Sequence, residues 1–506
     1  MQRDLSRPSS LNKCKLMKNT IKYLVLIVMA ISASSCKKYL ETAPDLRATL
    51  NTPAKVSELL TTAYPKASYV TFCEAISDNA DDKGPAASEN SFENSDPWFF
   101  KDIRGRDQDT PEYYWAACYK AIAAANHALD AIGKVSNPEA YAAQKGEALV
   151  ARAYSHFMLV TLFSKIYDPI TAASDPGIPY VTSPETVVIA KYERKTVAYV
   201  YEQIQTDLEA GIPLLTNQYT VPKYHFTPAA AHAFATRFFL FKKDYTKVIE
   251  HANLVFPAGN VAGNLRNYLA SSYRSLEPAA KSVYYASPTN PAVILLQEAQ
   301  SYYGRNFASY RYSLSNRLLL QTIWADNASG GSWANMVYGQ TLFLNMRKYN
   351  EHFVLESQGG TIGDAYNMIP LFSAEEVLFN RAEANVYLGN TAAALKDLND
   401  FGMKRFMVSD ANPVYSTSFT ITEQKAKDFY SVTDTKTALC KTILDFKRVE
   451  FMFEGLRWFD ILRYNLPVVH RTSDLSATYT LGPNDPMRVF QIPQEVEMSG
   501  IEKNPR

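Results

Sequence analysis

The chain has 506 residues, 52 of them basic and 51 acidic, for a formal net charge of +1. A balance this even, with no basic stripe or arm, argues against a polyanion binder, and nucleic acid is not an expected partner. Hydrophobic residues make up 47% and no long low-complexity run occurs. That excludes a disordered chain and leaves one large domain or two or three ordinary ones. Aromatic residues reach 13%, with 33 tyrosines, and tyrosine suits either half-wet binding surfaces or packing between helices. The five cysteines form no CxxC pair and no zinc spacing, so neither a disulfide framework nor a zinc site is expected.

Residues 17–36 read MKNTIKYLVLIVMAISASSC. Lys18 and Lys22 precede a short apolar core from Tyr23 to Ile31, too short to span a bilayer, and small residues lead into Cys36. The arrangement resembles a bacterial lipoprotein signal: cleavage before Cys36, acylation of that cysteine with palmitate-type chains, and a start at Met17 are the expectations.

Residues 39–44 read as an extended tether, and a helix is predicted over 53–64, with Thr52 as N-cap and Pro53 in its first turn. Residues 78–111 are polar and loop-like. From Pro111 the spacing turns helical, with stripes at Tyr114, Cys118, Ile122 and Ala125, then Ala148, Arg152, Ser155 and Leu159, then Tyr201, Ile204, Leu208, Ile212 and Leu215. Residues 374–389 and 390–405 form the clearest unit. Ala382, Gly389 and Ala394 match the small-residue positions of a tetratricopeptide helix pair, and 235–256 gives a weaker echo turning at Lys243-Asp244. Residues 257–370 break the helical run, with a strand predicted at 293–296, and an insertion this long on a rigid scaffold points to function.

The run RVEFMFEGLRWFDILR over 448–463 is too apolar for a surface helix and too charged for an ordinary core helix. Three-residue offsets predict a ladder from Glu454 to Arg457 and from Arg457 to Asp460, because unpaired charges do not survive burial.

No GxSxG, HExxH, GxGxxG or Walker-type loop occurs, and the seven histidines are scattered. Asp78, Asp81 and Asp82 lack the spacing of a calcium loop and are read as turn caps. No catalytic residue, metal site or cofactor is expected.

The 448–463 run, with Arg448 and Glu450 ahead of FEGLRWFD (453–460), is similar to a signature of the SusD/RagB family of nutrient-uptake outer-membrane lipoproteins. Further matches in order are Tyr39 to Glu41 with Pro44, Trp115 to Asn126, Glu147, Arg152 to Tyr154, Gly177 to Pro179, Asp207-Leu208, Arg381 to Ala384 with Gly389, and Ile492-Pro493 to Asn504-Pro505. One departure is Asn345 where the family often carries an aspartate two residues before an arginine, here Arg347. The resemblance implies a mostly α fold: a helical scaffold of four tetratricopeptide-like helix pairs with long loop-rich insertions and a few short strands. It also implies a signal region over 1–36 and one domain over 37–506, with an N-terminal part to about 230 and a C-terminal part from about 231.

In function, the resemblance implies a lipid-anchored protein on the extracellular side of the outer membrane, capping a SusC-like TonB-dependent β-barrel transporter. Oligosaccharide is the implied ligand; a peptide-capturing lid and a surface glycan-active enzyme are the alternatives. A sugar site needs flat aromatic faces and planar polar groups. Two segments supply them: Trp98, Phe99 and Arg104, and the insert carrying Tyr302, Tyr303, Trp324 and Trp333. Trp458, inside the 448–463 run, is expected to be structural.

Overall fold

The computed structural model describes residues 50–506 except 88–89, 186–189, 356 and 358. The leader, Cys36 and the tether at 39–44 lie outside the described residues.

Most helices begin where the sequence supplies a cap. α1 (Pro53–Leu60) starts after Thr52, whose Oγ1 accepts from Lys55 N–H at 3.4 Å. Two short helices follow, α2 (Val70–Ile76) and α3 (Phe92–Trp98), so the 78–111 stretch is not the open loop expected. Asp81, Asp82, Asn94 and Asp96 within it are buried, because each finds a hydrogen-bond partner inside the protein.

Thr110 then caps α4 (Pro111–Lys134), which forms an antiparallel hairpin with α5 (Ala142–Phe163), and α6 (Val197–Gly211) packs on the other side of α5. Gly146 and Gly211 let the α5 and α6 backbones meet, since a Cβ on Gly146 would lie 2.9 Å from the Gly211 carbonyl oxygen. The next hairpin is α7 (Pro228–Lys242) with α8 (Tyr245–Leu254). Its turn is the one read at Lys243-Asp244: Lys243 takes a left-handed conformation (φ 64°) and Asp244 caps α8.

α9 (Ala374–Tyr387) pairs with α10 (Thr391–Gly402), and Ala382 and Ala394 are fully buried while Gly389 turns the chain at φ +77°. α11 (Glu423–Tyr430) and α12 (Thr435–Glu450) make the fourth hairpin. The strands are few and short. Among the described residues the one sheet of more than two strands is antiparallel, in the order β1 (Val293–Gln300), β3 (Gly363–Ser373), β2 (Glu351–Leu355), with Leu296 opposite Pro370 and Glu351 opposite Asn367. Among the described residues no helix is long and apolar enough to cross a membrane.

The 448–463 run departs from the expected continuous helix. α12 stops at Glu450, and α13 (Leu456–Arg463) restarts after a turn in which Phe453 and Gly455 both take φ of 72°. The buried Glu74 carboxylate holds that turn, accepting from the backbone N–H of Phe453 (2.6 Å) and of Gly455 (2.9 Å). Gly455 is the cap residue at the head of α13 and Phe453 lies two residues ahead of it in the turn, and the carboxylate answers donors that the turn leaves unpaired.

The break takes Glu454 out of α13 and so removes the step from Glu454 to Arg457, whereas the step from Arg457 to Asp460 lies within α13 and is lost to other partners. Arg457 instead forks onto Asp78 (2.8 and 2.9 Å), and Glu454 is held by Lys348 and Tyr285. Asp460 takes Lys447 at 2.6 Å, and only its 2.9 Å step to Arg463 is local. Trp458 is fully buried, as expected of a structural residue.

Gly455 sits where a side chain would crowd its neighbours. A Cβ there would approach Cys73 Cβ at 3.1 Å and Val70 Cα at 3.2 Å, at a positive φ that alanine adopts at a cost. Gly455→Ala is expected to lower stability by about 2 kcal/mol. Urea unfolding checks this, and a change below about 0.5 kcal/mol would mean the turn yields.

Candidate functional site

The insert between β1 and β3 carries an open cleft of about 700 Å³. The helix Asn316–Gln321 leads into it, capped by Ser315 Oγ, which accepts from Leu318 N–H at 3.1 Å. The chain then turns so that Trp324 N–H donates to the Leu319 carbonyl (3.0 Å) and the indole projects outward, 65% exposed. A tight loop follows. Asn327 Nδ2 donates to the Gly331 carbonyl (2.8 Å), Ser329 Oγ accepts from Gly331 N–H (3.1 Å), and Gly330 takes φ +74°. Strand Ser332–Trp333 pairs antiparallel with Phe406–Met407 and closes the floor.

The two tryptophans of this insert have different roles. Trp333 is 6% exposed and packs on Phe406 and Phe446 at ring separations of 4.8 and 5.5 Å. It forms the wall, and Trp324 offers the open face. Beside them lies Asn335, buried to 6% exposure, whose amide nitrogen and oxygen both lack a partner. A buried amide left unpaired costs about 1–3 kcal/mol, which sets Asn335 apart from the other polar groups around the cleft. Arg274, which reaches Asp410 at 3.2 Å, and Tyr338 also line the cleft. Burial raises the Tyr338 phenol above its ordinary range, keeping it a neutral hydroxyl. Asn335, Arg274, Tyr338 and Asp410 were not singled out from sequence; an amide inside the apolar stretch from Trp333 to Val337 was the available signal.

The other expected site residues lie apart from this cleft. Trp98 is fully buried, with His470 stacked on it at 4.9 Å and Tyr312 at 4.4 Å, and its indole N–H donates to the Ala80 carbonyl. It is a core residue and offers no free face, contrary to expectation. Tyr303 is likewise buried, packed on Tyr349 and Phe307. Phe99 is half-buried, set edge-on to Trp98 and Tyr479 with Lys101 over its ring. Arg104 is exposed on a second cleft of about 330 Å³, forked onto Asp96 (2.8 and 3.0 Å) and lying 3.9 Å over the Phe92 ring. Tyr302 is half-buried, with Arg305 over its ring at 5.3 Å.

The aspartates once weighed for calcium each have an arginine: Asp78 with Arg457, Asp81 with Arg317, Asp82 with Arg311. Asp82 also caps its turn through Gly84 N–H at 2.9 Å. Among the described residues no group of three His, Cys, Asp or Glu side chains is placed to hold a metal. His232 and His251, distant in sequence, share a 2.9 Å hydrogen bond across the α7–α8 hairpin.

Tyr302 is positioned by Asp109, which accepts from Tyr302 N–H (2.7 Å) and Thr71 Oγ1 (3.0 Å) and from Ser301. Burial pushes Asp109 up to about 6 from 3.8 and Glu74 up to about 7 from 4.5. Between those limits the folded chain holds protons that the unfolded chain has released. The contribution of both groups is therefore complete below about pH 4 and falls as pH rises through 6 to 7. Melting temperature is expected to decline over that window, and Asp109→Asn, which tolerates the left-handed φ of 71°, to show a shallower decline. Parallel curves for the two proteins would rule out the Asp109 contribution.

Two family models match the chain. One, described as starch-binding associating with outer membrane, matches residues 38–240, and the other, the SusD family, matches 296–500. Among solved structures, a SusD superfamily protein of Bacteroides thetaiotaomicron VPI-5482 superposes with a TM-score of 0.65 at 20% identity, covering 90% of this chain and 100% of its own. A SusD-like carbohydrate binding protein of Bacteroides vulgatus ATCC 8482 gives 0.62 at 18%, covering 89% and 96%. A SusD superfamily protein of Bacteroides fragilis gives 0.63 at 19%, covering 89% and 98%. No curated protein matches the chain significantly. The helical scaffold, the order of its motifs and both family matches agree: the chain belongs to the SusD/RagB family.

Proposed function

We propose that this protein is a cell-surface capture lipoprotein that binds oligosaccharide in the Trp324 cleft and passes it to a SusC-like TonB-dependent transporter. The observation that carries the reading is the pairing of an exposed indole face with an unpartnered amide, Asn335, in one cleft. An indole stacks on the C–H face of a pyranose, and an amide donates to one hydroxyl while accepting from another. Phe99, Arg104 and Tyr302 are the second set proposed to meet ligand. Cys36 is proposed as the acylated anchor on the extracellular face of the outer membrane, and residues 37–506 as one domain of two parts meeting near 230. The protein acts by binding, without turnover.

The test is a binding screen of the chain from Lys37, without lipid, against polysaccharides, oligosaccharides and peptides. Saturable binding of a glycan that is recovered intact is expected. Selective peptide binding would replace the ligand class, and new reducing ends would replace the reading with an enzyme.

A further inference from the structure

His232 of α7 and His251 of α8 face each other Nδ1 to Nδ1 at 2.9 Å, and both are half-buried. A hydrogen bond between two such nitrogens needs one N–H and one lone pair, so one ring must keep its Nδ1 bare. A first added proton can settle on Nε2 of the donating ring and leave the bond in place. A second has only the accepting Nδ1 to take. Two N–H groups and two positive charges then oppose each other, and the bond is lost.

The surroundings give that second charge no relief. His251 lies flat on the Phe239 ring (5.3 Å, 8°), and the Lys247 ammonium sits over the same ring at 4.8 Å. Glu209 of α6 is taken by Lys247, Lys242 of α7 donates to Gln205, and Asp244 caps α8 through Lys247 N–H at 3.2 Å. From α9, Arg381 donates to Asn253 at 2.9 Å and is forked onto Asp397, and Glu383 is taken by Arg463. Burial first, and the neighbouring ring second, hold His251 down at about 4 from 6.5, and burial lowers His232 in the same direction. Both rings bind protons less readily folded than unfolded. Their contribution to stability is therefore whole above about pH 6.5 and falls as pH drops toward 4.

α8 is the element placed to respond. Of its ten residues only Val248 and Ala252 are buried. Its docking leans on side-chain ties: the histidine pair, Lys247 on Glu209, and Tyr245 stacked on Tyr387 of α9 at 4.3 Å and 13°. Tyr245 and Tyr387 also line a cleft of about 760 Å³.

We propose that the His232–His251 bond is an acid-released tie: a second proton on the pair parts α8 from its neighbours while the rest of the scaffold stays folded, and so unmakes the Tyr245 wall of that cleft. The readout must be local, because Asp109 and Glu74 move global stability the opposite way with pH.

The test is hydrogen exchange of the purified chain from Lys37, followed by mass spectrometry at about pH 7 and about pH 4.5 and corrected for intrinsic exchange. Protection across 245–254 is expected to fall about tenfold or more at the lower pH, with α5 and α7 changing less than about threefold. His232→Asn puts an amide where Nδ1 stood, which donates to a neutral His251 and accepts from a charged one. In that variant α8 should hold to within about threefold as well. Nitrogen NMR of the parent's histidine rings gives the same decision without a variant: the second proton should enter only as α8 loses protection. Unchanged protection in the parent, a loss spread evenly over α5 and α7, or the same loss in His232→Asn would each overturn the proposal. So would uptake of both protons with α8 still protected.

Discussion

Trp324→Ala is expected to weaken glycan binding about thirtyfold while leaving the melting temperature where it was. The size follows from the stacking face lost, about 2 kcal/mol for an aromatic side chain buried by ligand. The absence of a stability cost follows from exposure, because a side chain already 65% in water has little packing to lose. Asn335→Ala separates ligand recognition from folding more sharply. In the free protein its amide is buried without a partner, so its removal should leave stability unchanged or slightly higher, while affinity falls at least tenfold. Titration of both variants with the glycan found in the screen, beside thermal melts, checks the pair. Full affinity in both would move the site to the Arg104 cleft, and lost affinity with a lowered melting temperature in Asn335→Ala would make that residue structural.

The scaffold was legible in the sequence because helix pairing is written in local terms. The cap at Thr52, the turn at Lys243 and Asp244, and the small residues Ala382 and Ala394 all act within a few positions. Exposure of aromatics was not legible. Trp98 and Trp324 both sit in polar, loop-like stretches, yet one is sealed under Tyr312 and His470 and the other stands in solvent. The residues that cover Trp98 come from more than 200 positions away, and no local pattern reports them. Asn335 was missed for the same reason, since only the assembled fold shows that nothing answers its amide.

The scattered family motifs also acquire one physical meaning. Arg152 forks onto Asp207 at 2.7 Å and reaches Asn126 at 2.9 Å, tying α4, α5 and α6 together. Arg381 forks onto Asp397 between α9 and α10, and Arg463 onto Glu383 between α13 and α9. Asn504 donates to the carbonyls of Phe163 (3.0 Å) and Phe490 (2.8 Å). These family motifs are buried polar ties of the scaffold, and none of them lines the Trp324 cleft. A family match therefore speaks to the scaffold and is silent on the ligand.

The densest of those ties sets the second large expectation. Arg405 is fully buried, with Nε and Nη2 on Glu450 at 2.7 and 2.8 Å and Nη2 also 3.0 Å from Glu375, which in turn holds Arg266 at 2.8 Å. Two arginines thus answer two carboxylates with almost no access to water. Removing one cation leaves the charges of Glu375 and Glu450 with only Arg266 to balance them. Arg405→Met, which keeps the length of the side chain, is expected to lower stability by about 3–5 kcal/mol. The double variant Arg405→Met with Glu450→Gln should recover part of that loss, because it restores neutrality in the pocket. Urea unfolding of the three proteins separates the cases. A single variant within about 1 kcal/mol of the parent would mean that water or a proton shift absorbs the change. A double variant no better than the single would assign the loss to Arg405's hydrogen bond to the Arg266 carbonyl and its packing on Tyr268, instead of to unbalanced charge.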